Sequence, residues 1–259
     1  MSDDRSYYLE ELRSRNLLPD SHLCVFEAGS LVRGWGNPSS DVDLYIVSEE
    51  PWDGPEARSL NVPLTKKDIP SVELFVDGMR WDIKYWTDQQ VDEVFEKVTW
   101  EAFERAAMDS NDLNYIERWL LHRFGFAVAA SGQGWLAERG EQLKQSAFPA
   151  FLISQALNLA DSRVEDAVGQ LQAGDLESAV LSGRAAFAYS VDALIAYHGE
   201  YGQGSKWRAR RFRAAEPALL SFEEYWGLET MQSYDPADPA AWVNEVLPVC
   251  RAIAMEVSI

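Results

Sequence analysis

The stretch GSLVRGWGNPSSDVDLYIV, residues 29–47, begins with a glycine and a serine and ends with two aspartates before an apolar run. Residues 21–29 form a short apolar segment that stops at the glycine, and residues 43–47 form a second one. Short apolar runs bounded by turn residues are typical of buried strands. The stretch therefore predicts two strands joined by a polar loop.

The start of this loop has the composition of an anion site. Gly29 allows another group to approach the backbone closely. We expect a helix to begin at Ser30, so that its hydroxyl and the free N–H groups of the first turn bind an anion.

The end of the loop has the composition of a cation site. Asp41 and Asp43 are two positions apart, so a strand turns both carboxylates to one face. Like charges held so close repel each other unless a cation lies between them. Mg²⁺ prefers oxygen ligands and is commonly held by carboxylates together with substrate phosphates. Asp82, the acidic residue of the apolar and aromatic run MRWDIKYW, is the candidate for a third carboxylate, with Trp81 and Ile83 turned toward the core.

Together these residues resemble a known signature. The spacing of Gly29-Ser30, Arg33-Gly34 and Ser40-Asp41-Val42-Asp43 is similar to that of nucleotidyltransferases with a DNA polymerase β-type catalytic core. In overall architecture the chain resembles the aminoglycoside nucleotidyltransferases of that group. The resemblance implies ATP or another nucleoside triphosphate as co-substrate, two Mg²⁺ ions, and transfer of a nucleoside monophosphate to a hydroxyl with release of pyrophosphate.

The resemblance also implies roles for individual residues. It places the metal ions and the chemistry at Asp41, Asp43 and Asp82, and the nucleotide at Gly29, Ser30, Arg33 and Ser40. The general base stays open among Asp82, Glu73, Glu101 and Glu104.

The pattern along the chain predicts an α+β protein. A small mixed sheet with flanking helices, in a catalytic domain over residues 1–105, is followed by an all-helical domain over 106–259 that closes the nucleotide cleft. Asp77-Gly78 between two alternating runs predicts a hairpin, and Thr87 with Gln90 predicts a capping box. After residue 87 we expect only helices. The helices whose limits the pattern indicates, including one at the N-terminus, lie near residues 4–16, 100–108, 111–124, 132–145, 148–173 and 175–199.

A basic run, KWRARRFR, occupies residues 206–213 of this otherwise acidic chain. Lys206 and Arg210 are four positions apart on a presumed helix, and one face of that helix would present both to the triphosphate. The alternative is a basic helix end that pairs with neighbouring acids.

Composition limits the partners. The 259 residues carry a net charge of −19, which disfavours a nucleic-acid backbone and attracts a cationic molecule. An aminoglycoside is therefore the leading acceptor; tRNA or a protein, as in toxin–antitoxin enzymes, an uncharged small molecule, and a catalytically inactive nucleotide-binding module are the alternatives. No stretch suggests a membrane span, two cysteines in apolar segments suggest no disulfide, and we expect a cytoplasmic protein of open oligomeric state.

Overall fold

The computed structural model describes residues 5–54, 57–106, 113–202 and 205–257. The chain forms two compact units, Met1–Phe148 and Pro149–Ile259. A six-stranded sheet with helices makes up the first unit, and the described part of the second is helical. The α+β class expected from the sequence is confirmed.

The sheet of the first unit is mixed. Its strands lie in the order β3-β4-β5-β2-β1-β6. Their bounds are β1 (His22–Ala28), β2 (Val42–Ser48), β3 (Arg58–Asn61), β4 (Asp68–Val76), β5 (Met79–Thr87) and β6 (Val128–Ser131). The central strands β2 and β5 are parallel, and every other neighbouring pair is antiparallel.

The predicted hairpin joins β4 to β5. Asp77 and Gly78 both have positive φ, 49° and 80°, as a two-residue type I′ turn requires. Because the turn fixes the register, Val76 lies opposite Met79 and Glu73 lies opposite Asp82.

The acidic candidates lie on the face of the sheet opposite an apolar cluster. Trp81 and Ile83 are buried in an apolar cluster with Leu44 of β2 and Leu12 of α1 (Ser6–Ser14), as expected for the core side of β5. Alternation along β2 and β5 turns Asp43 and Asp82 to the opposite face. The sheet therefore separates this apolar cluster from the acidic residues.

Helices complete the first unit. They are α2 (Asp88–Glu96), α3 (Trp100–Ala106), α4 (Tyr115–Phe124) and α5 (Gln133–Gln145). The expected capping box at the start of α2 is confirmed, because Thr87 and Gln90 exchange both hydrogen bonds. The expected helix ends at residues 4, 107–108 and 111–112 lie outside the described residues.

One strand departs from the expectation of helices alone after residue 87. Strand β6 returns to the sheet and pairs antiparallel with β1, Glu27 lying opposite Val128. This pairing is non-local and the strand is short, so local sequence pattern gives little signal for it. It also keeps α4 and α5 with the sheet, and the compact units divide after Phe148, later than the expected boundary at 105/106.

The second unit contains α6 (Phe148–Ala173, which begins one residue before the division), α7 (Leu176–Tyr197), α8 (Arg208–Ala215), α9 (Phe222–Glu229) and α10 (Pro239–Glu256). Its core includes Phe187 and Leu194 of α7 and Trp242 and Val246 of α10. Cys250 in this core and Cys24 in β1 are both buried free thiols.

Helix α7 corrects one expectation. By length and composition its 22 residues are apolar enough to cross a membrane, although no such stretch was expected. Within this structure 67% of its apolar window is buried, and a core helix satisfies the same criterion.

Candidate functional site

Strand register brings two of the candidate carboxylates side by side. Asp43 of β2 lies opposite Asp82 on the parallel strand β5 and opposite Ala28 on β1. The loop that follows β1 therefore starts beside Asp43, and Asp41 precedes β2 at the same edge. The structure thus gathers residues that are more than 50 positions apart in the sequence.

Gly29 is required by its contacts. Its φ of +90° is left-handed, and a Cβ built there would lie 2.1 Å from the Oδ2 atom of Asp43. Any side chain at this position would therefore displace the Asp43 carboxylate.

The loop after Gly29 differs from the expectation. No helix begins at Ser30; residues 30–34 form turns in which the Trp35 N–H donates to the Ser30 carbonyl at 2.8 Å. The helical N–H groups expected to bind an anion are thus not provided, since the Gly and Pro residues of this loop favour turns. What remains is a pair of hydroxyls, the Ser30 Oγ donating to the Ser40 Oγ at 3.4 Å.

Arg33 is held by aromatic rings. Its guanidinium carbon lies 3.5 Å from the ring centre of Trp35 and 3.9 Å from that of Phe126. Stacking of this kind restricts where the guanidinium group can point.

Each of the three carboxylates has a basic partner. The distances are 2.5 Å from Arg80 to Asp41, 2.6 Å from Lys84 to Asp82 and 3.1 Å from Arg123 to Asp43. The exposure of the basic side chain decreases along this series, from 51% for Arg80 to 17% for Lys84 and 10% for Arg123.

Asp82 has both carboxylate oxygens engaged. Lys84 donates to Oδ2, and the Ser71 hydroxyl donates to Oδ1 at 3.3 Å. The Lys84 ammonium also lies 5.6 Å from the ring centre of Tyr45. Burial disfavours the charged form of Lys84, but Tyr45 and the carboxylates of Asp82 and Asp43 outweigh it and raise its pKa.

Asp43 is the most buried of the three acids, with 13% of its side chain exposed. Burial raises the pKa of its carboxyl; Arg123 and Lys84 lower it, and the neighbouring carboxylates of Asp41 and Asp82 raise it. Its partner Arg123 comes from α4, stacks on Trp119 at 4.4 Å and lies 3.4 Å from the Tyr45 hydroxyl. The acids and bases therefore form one electrostatic cluster.

Comparisons with known proteins bear on the fold. Scanning protein-family models and searching curated proteins both give no match. Among solved structures, the chain is similar to a nucleotidyltransferase-like protein from Exiguobacterium sibiricum 255-15, with a TM-score of 0.50 and 10% sequence identity. The likeness covers 97% of this chain and 74% of the other. The fold is nucleotidyltransferase-like.

Within this nucleotidyltransferase-like fold, sequence reasoning missed the basic half of the cluster. Lys84 and Arg80 flank Asp82 at two positions on either side, so strand alternation alone places all three on one face. The same rule that paired Asp41 with Asp43 would have found them. Arg123 comes from a helix 80 residues after Asp43, and no local pattern indicates it.

The other candidate bases occupy different surroundings. Glu73 is the register partner of Asp82 on β4, is about half exposed, and lies 3.6 Å from Arg58. Glu101 and Glu104 are exposed on α3, and Glu101 pairs with Arg105 at 3.5 Å.

The basic run divides into two sets. Arg208 and Arg211 are buried and pair with Asp192 of α7, as the alternative of a structural basic helix end anticipated. Lys206 precedes α8 rather than lying on it, because the helix begins at Arg208 after Trp207. Lys206 and Arg210 nevertheless share one neighbour, lying 5.5 Å and 5.2 Å from the Trp207 ring centre. Their role toward a nucleotide stays a prediction.

The oxygen atoms of this site are the kind of ligand that a hard cation prefers, but among the described residues too few acidic side chains are grouped to hold one. Carboxylate and hydroxyl oxygens are the ligands that Mg²⁺ prefers. Among the described residues, however, no group of three or more Asp, Glu, His or Cys side chains is arranged to hold a metal ion. Asp82 also directs both oxygens to groups of the chain itself.

Proposed function

We propose that this protein transfers a nucleoside monophosphate, with AMP from ATP as the first candidate, onto a hydroxyl of a small acceptor. Two arguments support the proposal. The fold is similar to that of a solved nucleotidyltransferase-like protein, and the spacing of Gly29-Ser30, Asp41 and Asp43 in the sequence selects the site residues. The observation that carries it is the register of β2 against β5, which sets Asp43 beside Asp82 at the edge where the Gly29-Ser30 loop begins.

The residues would divide the work as follows. Asp41 and Asp43 would hold a Mg²⁺ ion, which when bound neutralises phosphate charge and orients the transferred phosphoryl group. Ser30 and Ser40 offer neighbouring hydroxyls as donors to phosphate oxygens. Arg33, stacked between two rings, offers its guanidinium for the same purpose.

Asp41 is the carboxylate that a cation can recruit most readily. Its partner Arg80 is about half exposed, and exposed ion pairs contribute little to stability. Asp43 presents a second acid beside it, with one oxygen bonded to Arg123. A carboxylate has lone pairs on both oxygens and can accept from Arg123 and a metal ion together.

We further propose that the acceptor is cationic, an aminoglycoside being the leading type. The net charge of −19 supports this, because an acidic protein attracts a polycation over distances set by screening. We expect the acceptor's KM to rise about tenfold or more between low salt and about 1 M salt, where the Debye length is only about 3 Å. A KM that does not change with salt would remove the argument for a cationic acceptor.

The experiment that tests nucleotidyl transfer is a pyrophosphate-release assay. It supplies Mg²⁺, each of the four ribonucleoside triphosphates, and acceptors that span aminoglycosides, neutral sugars, tRNA and protein. The Asp41→Asn/Asp43→Asn variant is the blank, because it keeps side-chain volume while removing both charges. Release that needs one acceptor and is absent from the blank establishes the activity and names the substrate class.

A second candidate function follows from the ion pairs. Because each carboxylate already has a basic partner, the site resembles a neutralised cluster, which suits a nucleotide-binding module without transfer activity. Triphosphate binding without pyrophosphate release on any acceptor would favour this module over the enzyme.

A further inference from the structure

We propose that Lys84 is a fixed cation of the carboxylate cluster that takes the place of a second divalent ion, so that the site holds one divalent ion. The inference rests on the proposed function only where the nucleotide is concerned. It replaces the two ions that the family resemblance implies with one ion and one ammonium group.

The first support is that both oxygens of Asp82 accept hydrogen bonds from donors of the chain. A carboxylate that bridges to a second metal ion must offer it an oxygen. Lys84 donates to Oδ2 at 2.6 Å and Ser71 donates to Oδ1 at 3.3 Å, so both oxygens already serve donors of the chain. These donors come from the same strand and from its direct neighbour β4, which fixes them in place by register.

The second support is the setting of Lys84. Its side chain is 17% exposed, compared with 51% for Arg80, and its ammonium faces the Tyr45 ring. An exposed arginine can leave Asp41 for solvent, whereas Lys84 would have to carry its charge out of a largely enclosed position. A metal ion therefore competes easily for Asp41 and poorly for Asp82.

The third support is the balance of charge. Lys84 and Arg123 pair with Asp82 and Asp43 from largely enclosed positions, whereas Arg80 pairs with Asp41 from a position about half exposed, so Asp41 is the acid whose charge a metal ion can take over. One divalent ion, bound with a nucleotide that brings its own negative charge, suits the site once Arg80 has moved to solvent. A second divalent ion would sit beside an ammonium and a guanidinium group with no free acid to offset it.

The experiment is equilibrium dialysis with Mn²⁺ and α,β-methylene ATP, in which bound metal and bound nucleotide are counted separately. We expect about one Mn²⁺ per bound nucleotide in the wild type, and about two in Lys84→Met, where Asp82 regains an open oxygen. Lys67→Met removes the same charge from an exposed lysine and should leave the ratio at about one. Asp82→Asn in the wild-type background should also leave it at about one, because Asp82 is not a metal ligand there.

The outcomes are distinguishable. Two ions in the wild type, an unchanged count in folded Lys84→Met, or loss of an ion in Asp82→Asn would each overturn the inference. If Lys84→Met does not fold, loss of an ion in Asp82→Asn still overturns the inference, because the inference requires that Asp82 is not a metal ligand. The same dialysis without nucleotide counts the ions held by the carboxylates, with at most one expected in the wild type and one more in Lys84→Met. A chain that binds Mn²⁺ in this pattern but no nucleotide would contradict the proposed function and support the inference.

Discussion

Each unit of this protein contains a cluster of acidic and basic side chains, and the two clusters are built differently. In the second unit, Asp192 accepts two hydrogen bonds from Arg208 and one from Arg211. In the first unit, each of the three acids pairs with a different basic residue. One carboxylate serves two arginines in the former, and three carboxylates share three cations in the latter.

Burial follows the same division. Arg208 and Arg211 are 8% and 4% exposed, and Arg208 also reaches Glu229 at 3.3 Å. A buried network with its donors engaged fixes a structure. In the first unit, Asp41 and Asp82 remain about a quarter exposed, so solvent and small ions can reach them. The second cluster therefore holds helices together, whereas in the first the half-exposed Arg80 lets Asp41 exchange its partner.

The largest effect is expected from breaking the network of the second unit. Asp192→Ala leaves Arg208 and Arg211 buried without their shared carboxylate, and should lower the free energy of unfolding by about 3–5 kcal/mol. Urea unfolding of the second unit, followed by tryptophan fluorescence, measures it. Asp161→Ala, which removes an exposed acid from α6, is the control. A loss no larger than that of the control would show that the two arginines find other partners.

A smaller effect is expected from the buried pair of the first unit. Arg123→Met removes the partner of Asp43 but leaves Lys84 nearby, so the free energy of unfolding should fall by about 1–3 kcal/mol. The same urea titration measures the change. The control is Arg105→Met, an equal substitution in an exposed pair on α3. If Arg123→Met cost as much as Asp192→Ala, the two clusters would not differ in rigidity.

The sequence could predict the acidic half of this comparison because its signals are local. Alternation along a strand, a glycine at the end of β1 and the Asp77-Gly78 turn each act over a few residues, and together they define the sheet edge. The turn fixes the β4–β5 register. Strand alternation also places Lys84 on the same face as Asp82.

The rest depends on contacts between distant parts of the chain. Arg123 reaches Asp43 from α4, and β6 joins the sheet after α2, α3 and α4. The local sequence pattern indicates neither the Arg123–Asp43 contact nor the pairing of β6, because long-range packing rather than local propensity determines both. The helix expected at Ser30 does not form for a local reason. The residues that follow Ser30 favour turns, and the Trp35 N–H closes one of them by donating to the Ser30 carbonyl.

The exposed pair at the site should be nearly neutral for stability. Arg80→Ala removes the partner of Asp41, and hydrogen bonding to Asp41 is what raises the pKa of this arginine. We expect no resolvable change in the urea midpoint, because exposed ion pairs exchange with water at little cost. Mn²⁺ should bind more tightly to this variant. A clear loss of stability would mean that Arg80 helps hold the loop in place and that Asp41 is less available than proposed.

A slight, pH-dependent effect is expected at a single exposed carboxylate of the second unit. Glu224 accepts from the Ser221 hydroxyl at 2.7 Å and from its N–H at 2.9 Å, and these bonds lower the pKa of the Glu224 carboxyl. A lowered pKa means that the folded state favours the ionised form, so this stabilisation is complete above about pH 4.3, where the unfolded residue titrates. It is lost as the pH falls through the lower folded pKa. Glu224→Gln keeps an oxygen acceptor without a charge, so its urea midpoint should lie slightly below that of the wild type at neutral pH and approach it as the pH falls through the folded pKa. Glu223→Gln, on the same exposed turn but outside the capping box, is the matched control. A gap that persists unchanged at pH 3 would place the effect in hydrogen-bond geometry rather than charge, and the larger losses at Asp192 and Arg123 would then have to be separated into the same two contributions.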